Sequence, residues 1–248
     1  LGRSDLTWQV AVDADGDRVE ADIPLLGPHQ AGNAGVAVAL ARQVADALDC
    51  PIPPATLSGG LRRADWPGRF EVLGRDPLVV LDGANDPRGC AAVAETLSTF
   101  DYEACHLVVG AMADRDLAGV ARALPAPDHV VACRPDRDRA EAESVVARAF
   151  ERHTDARVET RADVAGALDE ALGAAEAGDC VLVAGSLSAV AEARTRWDRA
   201  IIPRRVDSLA DASDALAAAH VTDAGAWRMR GKAVHRVLRT RVQPRQAQ

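Results

Sequence analysis

Apolar and polar residues alternate along residues 6–12 and 18–25, and Asp13-Ala14-Asp15-Gly16-Asp17 separates the two runs, a pattern that predicts a β-hairpin with a Gly-containing turn. The period then changes. Ala34, Val38, Ala41, Ala45 and Leu48 recur at spacings of three and four, which predicts a helix over residues 30–48 that Pro51 ends. Pro51, Pro53 and Pro54 then read as a stiff linker.

From Arg69 onward, short β-branched runs alternate with alanine-rich stretches of helical period. Strands are expected at 78–81, 107–109, 129–132, 157–159 and 180–184, and one more after the Pro67-Gly68 turn that precedes Arg69. Helices are expected to begin near Pro87, Asp116, Ala140, Asp163 and Ser186. Strands that are continuously apolar are buried on both faces. The fold class is therefore expected to be α/β, a Rossmann-like, mainly parallel sheet with helices on both faces, over roughly residues 57–199.

The 248 residues allow one large or two small domains, and 48% hydrophobic with 27% charged residues excludes disordered and disulfide-scaffold classes. No apolar run approaches 18 residues and no signal peptide opens the chain, so neither a membrane partner nor secretion is expected, and the localisation is expected to be cytoplasmic. The chain lacks an initiator Met and is expected to be a piece of something longer. Among its charges, 28 Arg stand beside a single Lys, Lys232, and the net charge is -8. This aspartate-rich, lysine-poor balance resembles that of proteins from salt-loving archaea. Residues 226–248 carry seven positive charges and no acid. A nucleic-acid patch there is not expected, because the rest of the chain is strongly negative and the tail lacks interleaved aromatics.

Five cysteines form no C-x-x-C pair and six histidines form no H-E-x-x-H, so metal ligands are not expected within the chain and the cysteines read as buried, reduced thiols. In a parallel sheet, ligands bind beyond the carboxyl ends of the strands. That directs the search to Asp82-Gly83-Ala84-Asn85-Asp86-Pro87, to Gly110-Ala111-Met112-Ala113-Asp114-Arg115-Asp116 and to Gly185-Ser186-Leu187. Asp82 at a strand end could hold a ribose or a metal-bound phosphate, or simply cap the next turn. Arg69 could fork onto a phosphate or form a surface ion pair. Ser186 could sit beside anion-binding amides or serve as a helix N-cap. His29 and Asn33 are polar residues at a helix start, for which capping is the simpler reading. A P-loop needs G-K-[ST], and the only lysine lies in Gly231-Lys232-Ala233, so this chain cannot cradle a triphosphate in that way.

The motifs together are recognisable. Leu26-Gly27-Pro28-His29-Gln30 with Asn33-Ala34, Gly60-Leu61, Trp66-Pro67-Gly68-Arg69-Phe70-Glu71, Asp82-Gly83-Ala84, Asp114-Arg115-Asp116, Arg139-Ala140 and Val183-Ala184-Gly185-Ser186-Leu187 follow one another in a familiar order. In order and approximate spacing they resemble the carboxyl-terminal half of the folylpolyglutamate synthase/dihydrofolate synthase family, of the Mur ligase superfamily. W-P-G-R-F-E, with D-G-A 13 residues after its Arg, is the specific part.

The resemblance implies three segments: residues 1–57 as the tail of a central ATPase domain, 58–199 as a Mur ligase carboxyl-terminal domain, and 200–248 as a basic linker. That linker resembles the segment leading into a dihydropteroate synthase-like domain in fused folate proteins of halophilic archaea. The implied activity is ATP-dependent ligation of L-glutamate to folate through an acyl phosphate, with ATP and Mg2+ as cofactors and covalently attached neighbouring domains on both sides. The P-loop and metal ligands would lie in the preceding ATPase domain. Asn33 would contact the adenine, Arg69 the phosphates and Asp82 the nucleotide. His29, Asn85, Asp86, Asp114, Asp116 and Ser186 are further candidates for a nucleotide or substrate loop, and no catalytic residue is assigned.

Two departures stand out. The family's D-G-A-H-N-P is Asp82-Gly83-Ala84-Asn85-Asp86-Pro87 here, which replaces a histidine and adds an acid, and its D-K-D has Arg115 in place of lysine. A catalytically inactive nucleotide- or partner-binding module is therefore the alternative, beside a bifunctional folylpolyglutamate synthase/dihydropteroate synthase. A cell-wall Mur ligase fits the W-P-G-R-F-E form less well.

Overall fold

A computed structural model describes residues 6–14, 17–201, 226–230 and 233–237. Strands β1 (Trp8–Ala14) and β2 (Asp17–Ile23) form the expected antiparallel hairpin, and α1 (His29–Ala47) follows. Val10, Val12, Val19, Ala21 and Ile23 from the hairpin pack against Ala34 and Val38 of α1. A second helix that was not expected, α2 (Pro54–Arg62), begins at the last of the three linker prolines, and the expected boundary at residue 57 falls inside it. Pro54 is tolerated because it stands at the first helical position, where its missing N–H would have had no partner, and its φ is already set for a helix. Leu57 of α2 joins the core of the hairpin and α1.

The remainder is a six-stranded sheet. Its elements run β3 (Glu71–Arg75), β4 (Leu78–Leu81), α3 (Pro87–Leu97), β5 (Cys105–Val109), α4 (Leu117–Ala123), β6 (His129–Cys133), α5 (Glu143–His153), β7 (Arg157–Arg161), α6 (Val164–Ala174), β8 (Cys180–Ala184) and α7 (Leu187–Ile201). The strand order is β3-β4-β8-β5-β6-β7, parallel throughout except for the β3–β4 pair, so the α/β fold class is as expected.

Period two divides each central strand between two cores. Leu78, Val80, Leu107, Val109, Leu182 and Ala184 face one side with Cys90 and Val93 of α3, Val120 of α4 and Phe150 of α5. Val79, Leu81, Val108, Val181 and Val183 face the other with Leu168 of α6 and Ala189 and Val190 of α7. The chain winds outward from β4 through β5 and β6 to β7 with helices on the first face, then returns by α6 to insert β8 between β4 and β5. Helices therefore leave neighbouring strands toward opposite faces at β8, which opens a crevice at the carboxyl ends of β4, β8 and β5. Leu6 and Leu26, from either side of the hairpin, are buried in the first of these cores.

Two local expectations shift. Alpha-helix α5 begins at Glu143, three residues after Ala140, because Ala140 is taken up in a bridge to Met112. Within 200–248, β9 (Ala226–Arg230) and β10 (Ala233–Val237) pair antiparallel, while α7 runs on to Ile201; the rest of that expected linker lies outside the described residues. Cys90, Cys105, Cys133 and Cys180 are buried free thiols and Cys50 is exposed. Burial pushes Cys90 and Cys133 up to about 12, which keeps them protonated at neutral pH.

Candidate functional site

Asp82 continues β4 by donating its N–H to Val183 at 3.0 Å, which places its side chain at the mouth of the crevice. Its carboxylate is 8% exposed, and both oxygens are engaged: Oδ2 accepts the Phe70 N–H at 2.8 Å and Oδ1 accepts the Ala84 N–H at 2.7 Å. The second bond is the turn cap that spacing alone suggested. The first reaches another loop altogether. Burial pushes the carboxyl above its ordinary value, opposed in turn by the two N–H groups, by Arg69 and by His29.

Arg69 sits between two residues in the left-handed region, Gly68 at φ 73° and Phe70 at φ 43°. Such a backbone persists only when its surroundings hold it. Here the Gly68 N–H donates to Glu71 Oε2 at 2.9 Å, the Gly68 carbonyl accepts from Gly83 N–H at 2.9 Å, and Phe70 is pinned by Asp82 and stacks on Phe100 at 5.5 Å. Gly68 also has no room for a side chain, since a Cβ would lie 2.7 Å from Val190 Cγ1. The Arg69 guanidinium, half-buried, makes no hydrogen bond or ion pair within the described residues. One of its Nη atoms would lie 3.2 Å from a Cβ at Gly83, so the D-G-A glycine lets the arginine and Leu187 approach that turn closely.

The three loops are stitched together. Gly185 N–H donates to Ala84 at 2.9 Å, Gly110 N–H to Ala184 at 3.3 Å, and Ser186 Oγ to the Gly110 carbonyl at 2.7 Å. Ser186 Oγ also accepts from Ala189 N–H at 3.1 Å, so it caps α7 while tying two loops.

The remaining candidates divide. His29 is exposed at the start of α1 and near enough to Asp82 to act on its charge. Asn33, one turn on, is exposed and donates its amide to Gln30 Oε1 at 2.9 Å. Asn85 is half-buried with no hydrogen bond among the described residues. Asp86 caps α3, accepting Gly89 N–H at 2.9 Å, so its charge rests on the positive end of a helix, and Asn or Asp serves that position equally. Asp116 caps α4 in the same way through Gly119 at 2.9 Å. Asp114 is exposed and paired with Arg139 at 2.9 Å and Arg115 at 3.7 Å, a tie between the loops after β5 and β6. The structure thus brings Arg69, Asp82 and His29 together, joins Ser186 to the same loops, and gives Asp86, Asp114 and Asp116 local structural tasks.

Sequence reasoning passed over Glu71 and Arg194. Glu71 stood inside the motif without a role, and Arg194, whose Nε donates to Glu71 Oε1 at 2.9 Å, lies 123 residues away with no spacing to flag it. Among the described residues, no group of three or more His, Cys, Asp or Glu side chains could hold a metal ion. A shallow depression lined by Ser98, Phe100, Asp101, Tyr102, Glu103 and Gly178 lies at the amino ends of the strands, away from the crevice, and offers no cationic side chain to an anion.

Residues 68–187 match the family described as Mur ligase, glutamate ligase domain. The chain is 56% identical over its whole length to a probable bifunctional folylpolyglutamate synthase/dihydropteroate synthase of Halobacterium salinarum, covering 30% of that protein. It is 48% identical over 96% of its length to the corresponding Haloferax volcanii protein, covering 28%. It therefore spans less than a third of these relatives. Among solved structures, it resembles Mycobacterium tuberculosis folylpolyglutamate synthase complexed with ADP, with a TM-score of 0.66 and 28% identity over 76% of this chain and 47% of that one. Residues 68–187 are therefore a Mur ligase glutamate ligase domain, in a chain that resembles the haloarchaeal folylpolyglutamate synthase/dihydropteroate synthases along its whole length.

Proposed function

We propose that this chain forms the carboxyl-terminal wall of an ATP-dependent ligase that joins L-glutamate to a folate, within a bifunctional folylpolyglutamate synthase/dihydropteroate synthase of the kind its haloarchaeal relatives are named for. Arg69 carries the reading. Its backbone is held on both sides, its guanidinium donors are not spent within the described protein, and it stands beside Asp82 at the crevice where an open α/β sheet binds ligands. A planar fork so placed suits phosphate oxygens. Asn33, whose carbonyl oxygen remains available while its amide serves Gln30, would face the adenine, and Asp82 would bound the nucleotide from the sheet.

In this scheme the folate carboxylate takes the γ-phosphoryl group of ATP, releasing ADP and giving an acyl phosphate; the neutral glutamate amine attacks the acyl carbon, and the amide bond forms as inorganic phosphate leaves and the amine gives up a proton to solvent. The contribution of these residues is to orient the phosphates and to close the crevice against water, which would otherwise hydrolyse the anhydride. By the family resemblance, the phosphate cradle and the Mg2+ ligands would come from an ATPase domain preceding these residues, and the single lysine here is not followed by Ser or Thr. Residues 200–248 would link to a following domain. The protein would work in the cytoplasm, and no described helix is long and apolar enough to cross a membrane.

The test is Arg69→Ala in the full-length protein, expected to raise the KM for ATP about 10- to 100-fold, the worth of a charge-assisted hydrogen bond, with the fold intact. Unchanged ATP kinetics would overturn the nucleotide reading. Asn85, standing where the family has histidine, favours a second reading, a module that binds nucleotide without ligation. Absence of glutamate-dependent ADP release by folded full-length protein across a potassium chloride series would decide for it.

A further inference from the structure

We propose that Arg194 is a positioning residue for Arg69, acting through the carboxylate of Glu71; this rests on the nucleotide reading of Arg69 given above. Glu71 is a bridge. One oxygen accepts the Gly68 N–H at 2.9 Å and the other accepts Arg194 Nε at 2.9 Å, with the two side chains only 19% and 23% exposed. A carboxylate on a flexible side chain can fix a backbone N–H only if its own rotamer is fixed, and Arg194 does this from a helix on the far side of the turn. The N–H it holds belongs to the left-handed residue immediately before Arg69.

Helix α7 supports the same turn elsewhere. Val190, one turn before Arg194, fills the space beside Gly68, and Leu187, at the helix start, fills the space beside Gly83. Positions 187, 190 and 194 lie on one helical stripe, so α7 braces the Arg69 and D-G-A turns along three successive contacts. Arg196, two residues on, instead pairs with Asp169 at 2.9 Å and provides an internal control.

The experiment is a double-mutant cycle on ATP kinetics and thermal midpoint in the full-length protein, using Arg69→Ala, Arg194→Met, their combination, Arg194→Lys, and Arg196→Met. Arg194→Met is expected to raise the KM for ATP about tenfold and leave the KM for glutamate unchanged. Arg194→Lys should recover part of the loss, and Arg196→Met should change neither KM. In the Arg69→Ala background, Arg194→Met should add nothing to the KM for ATP, because a residue acting through Arg69 has nothing left to position. A purely structural role would add in both backgrounds, and that result, or an unchanged KM in the single variant, overturns the proposal. If Arg69→Ala alone leaves the KM for ATP unchanged, the nucleotide reading itself fails. Glu71→Gln, nearly isosteric, runs the same cycle from the middle of the bridge should Arg194→Met not fold.

Discussion

The Asp82 carboxylate accepts the backbone N–H of Phe70 at 2.8 Å, joining the end of β4 to a turn that ends twelve residues earlier. The same carboxylate holds Ala84 N–H at 2.7 Å, so one buried side chain fixes both turns of the crevice. An amide cannot do so, because its NH2 would face one of the two donors. Asp82→Asn is therefore expected to cost about 1–3 kcal/mol of stability. The check is the urea midpoint at unchanged m-value.

At the opposite edge of the sheet, Asp179, His106, His129 and Glu159 form a row across neighbouring strands. The separations are 3.1 Å from Asp179 Oδ2 to His106 Nε2, 3.3 Å between the two Nδ1 atoms, and 3.5 Å from His129 Nε2 to Glu159 Oε2. In the last and longest of these contacts, His129 Nε2 and Glu159 Oε2 are enclosed without a hydrogen-bond partner. Burial holds His129 below its ordinary 6.5, outweighing the pull of Glu159, with His106 and Arg157 pushing the same way. A folded-state value below the unfolded one means that the unfolded chain binds more protons there. Stability from this group is then complete above pH 6.5 and lost as pH falls through the folded value. Asp82, shifted upward, contributes with the opposite sign, but in the carboxylate range. The expected result is a urea midpoint that declines from pH 7.5 toward 5.5, with the decline absent in His129→Gln. A flat profile for the unaltered chain would contradict it.

Asp86 caps α3, and removal of that cap by Asp86→Ala should cost about 0.5–2 kcal/mol, whereas Asp86→Asn should be close to neutral because either side chain accepts the Gly89 N–H. Thermal midpoints of the two variants, measured at one salt concentration, distinguish the cap from a charge-driven effect. Equal losses in both variants would argue for the charge.

The 248-residue chain by itself is expected to form no ADP from ATP, since its only lysine stands in Gly231-Lys232-Ala233 and the sequence holds no G-K-[ST]. A coupled ADP assay on the purified chain tests this, and sustained turnover would refute it.

Local chemistry made much of the molecule legible in the sequence. Five-residue apolar strands such as Cys180–Ala184 read as doubly buried because no position in them could face water at low cost. Helix starts near Pro87, Asp116 and Asp163 were readable because their signals are local: Asp86, Asp116 and Asp163 each reach the N–H of a glycine three residues on, within one turn. Helix α2 was missed for an equally local reason: three prolines suggest a linker, and burial of Leu57 against the hairpin core stabilises the helix that begins at the last of them.

Motif order also pointed to the crevice loops, yet which side chains meet there depended on strand order. The insertion of β8 between β4 and β5 carries Ser186 to Gly110 across 76 residues and α7 to Glu71 across 123. No periodicity encodes that placement. It follows from how two apolar faces close over one sheet, a many-body packing outcome in which each contact is fixed only once the others have formed. The sequence by itself determined the sheet strands, several helix starts and the W-P-G-R-F-E motif; tertiary closure decided that Asp82 would hold the Arg69 turn, that Arg194 would brace it, and that His129 would face Glu159 without a hydrogen bond between them.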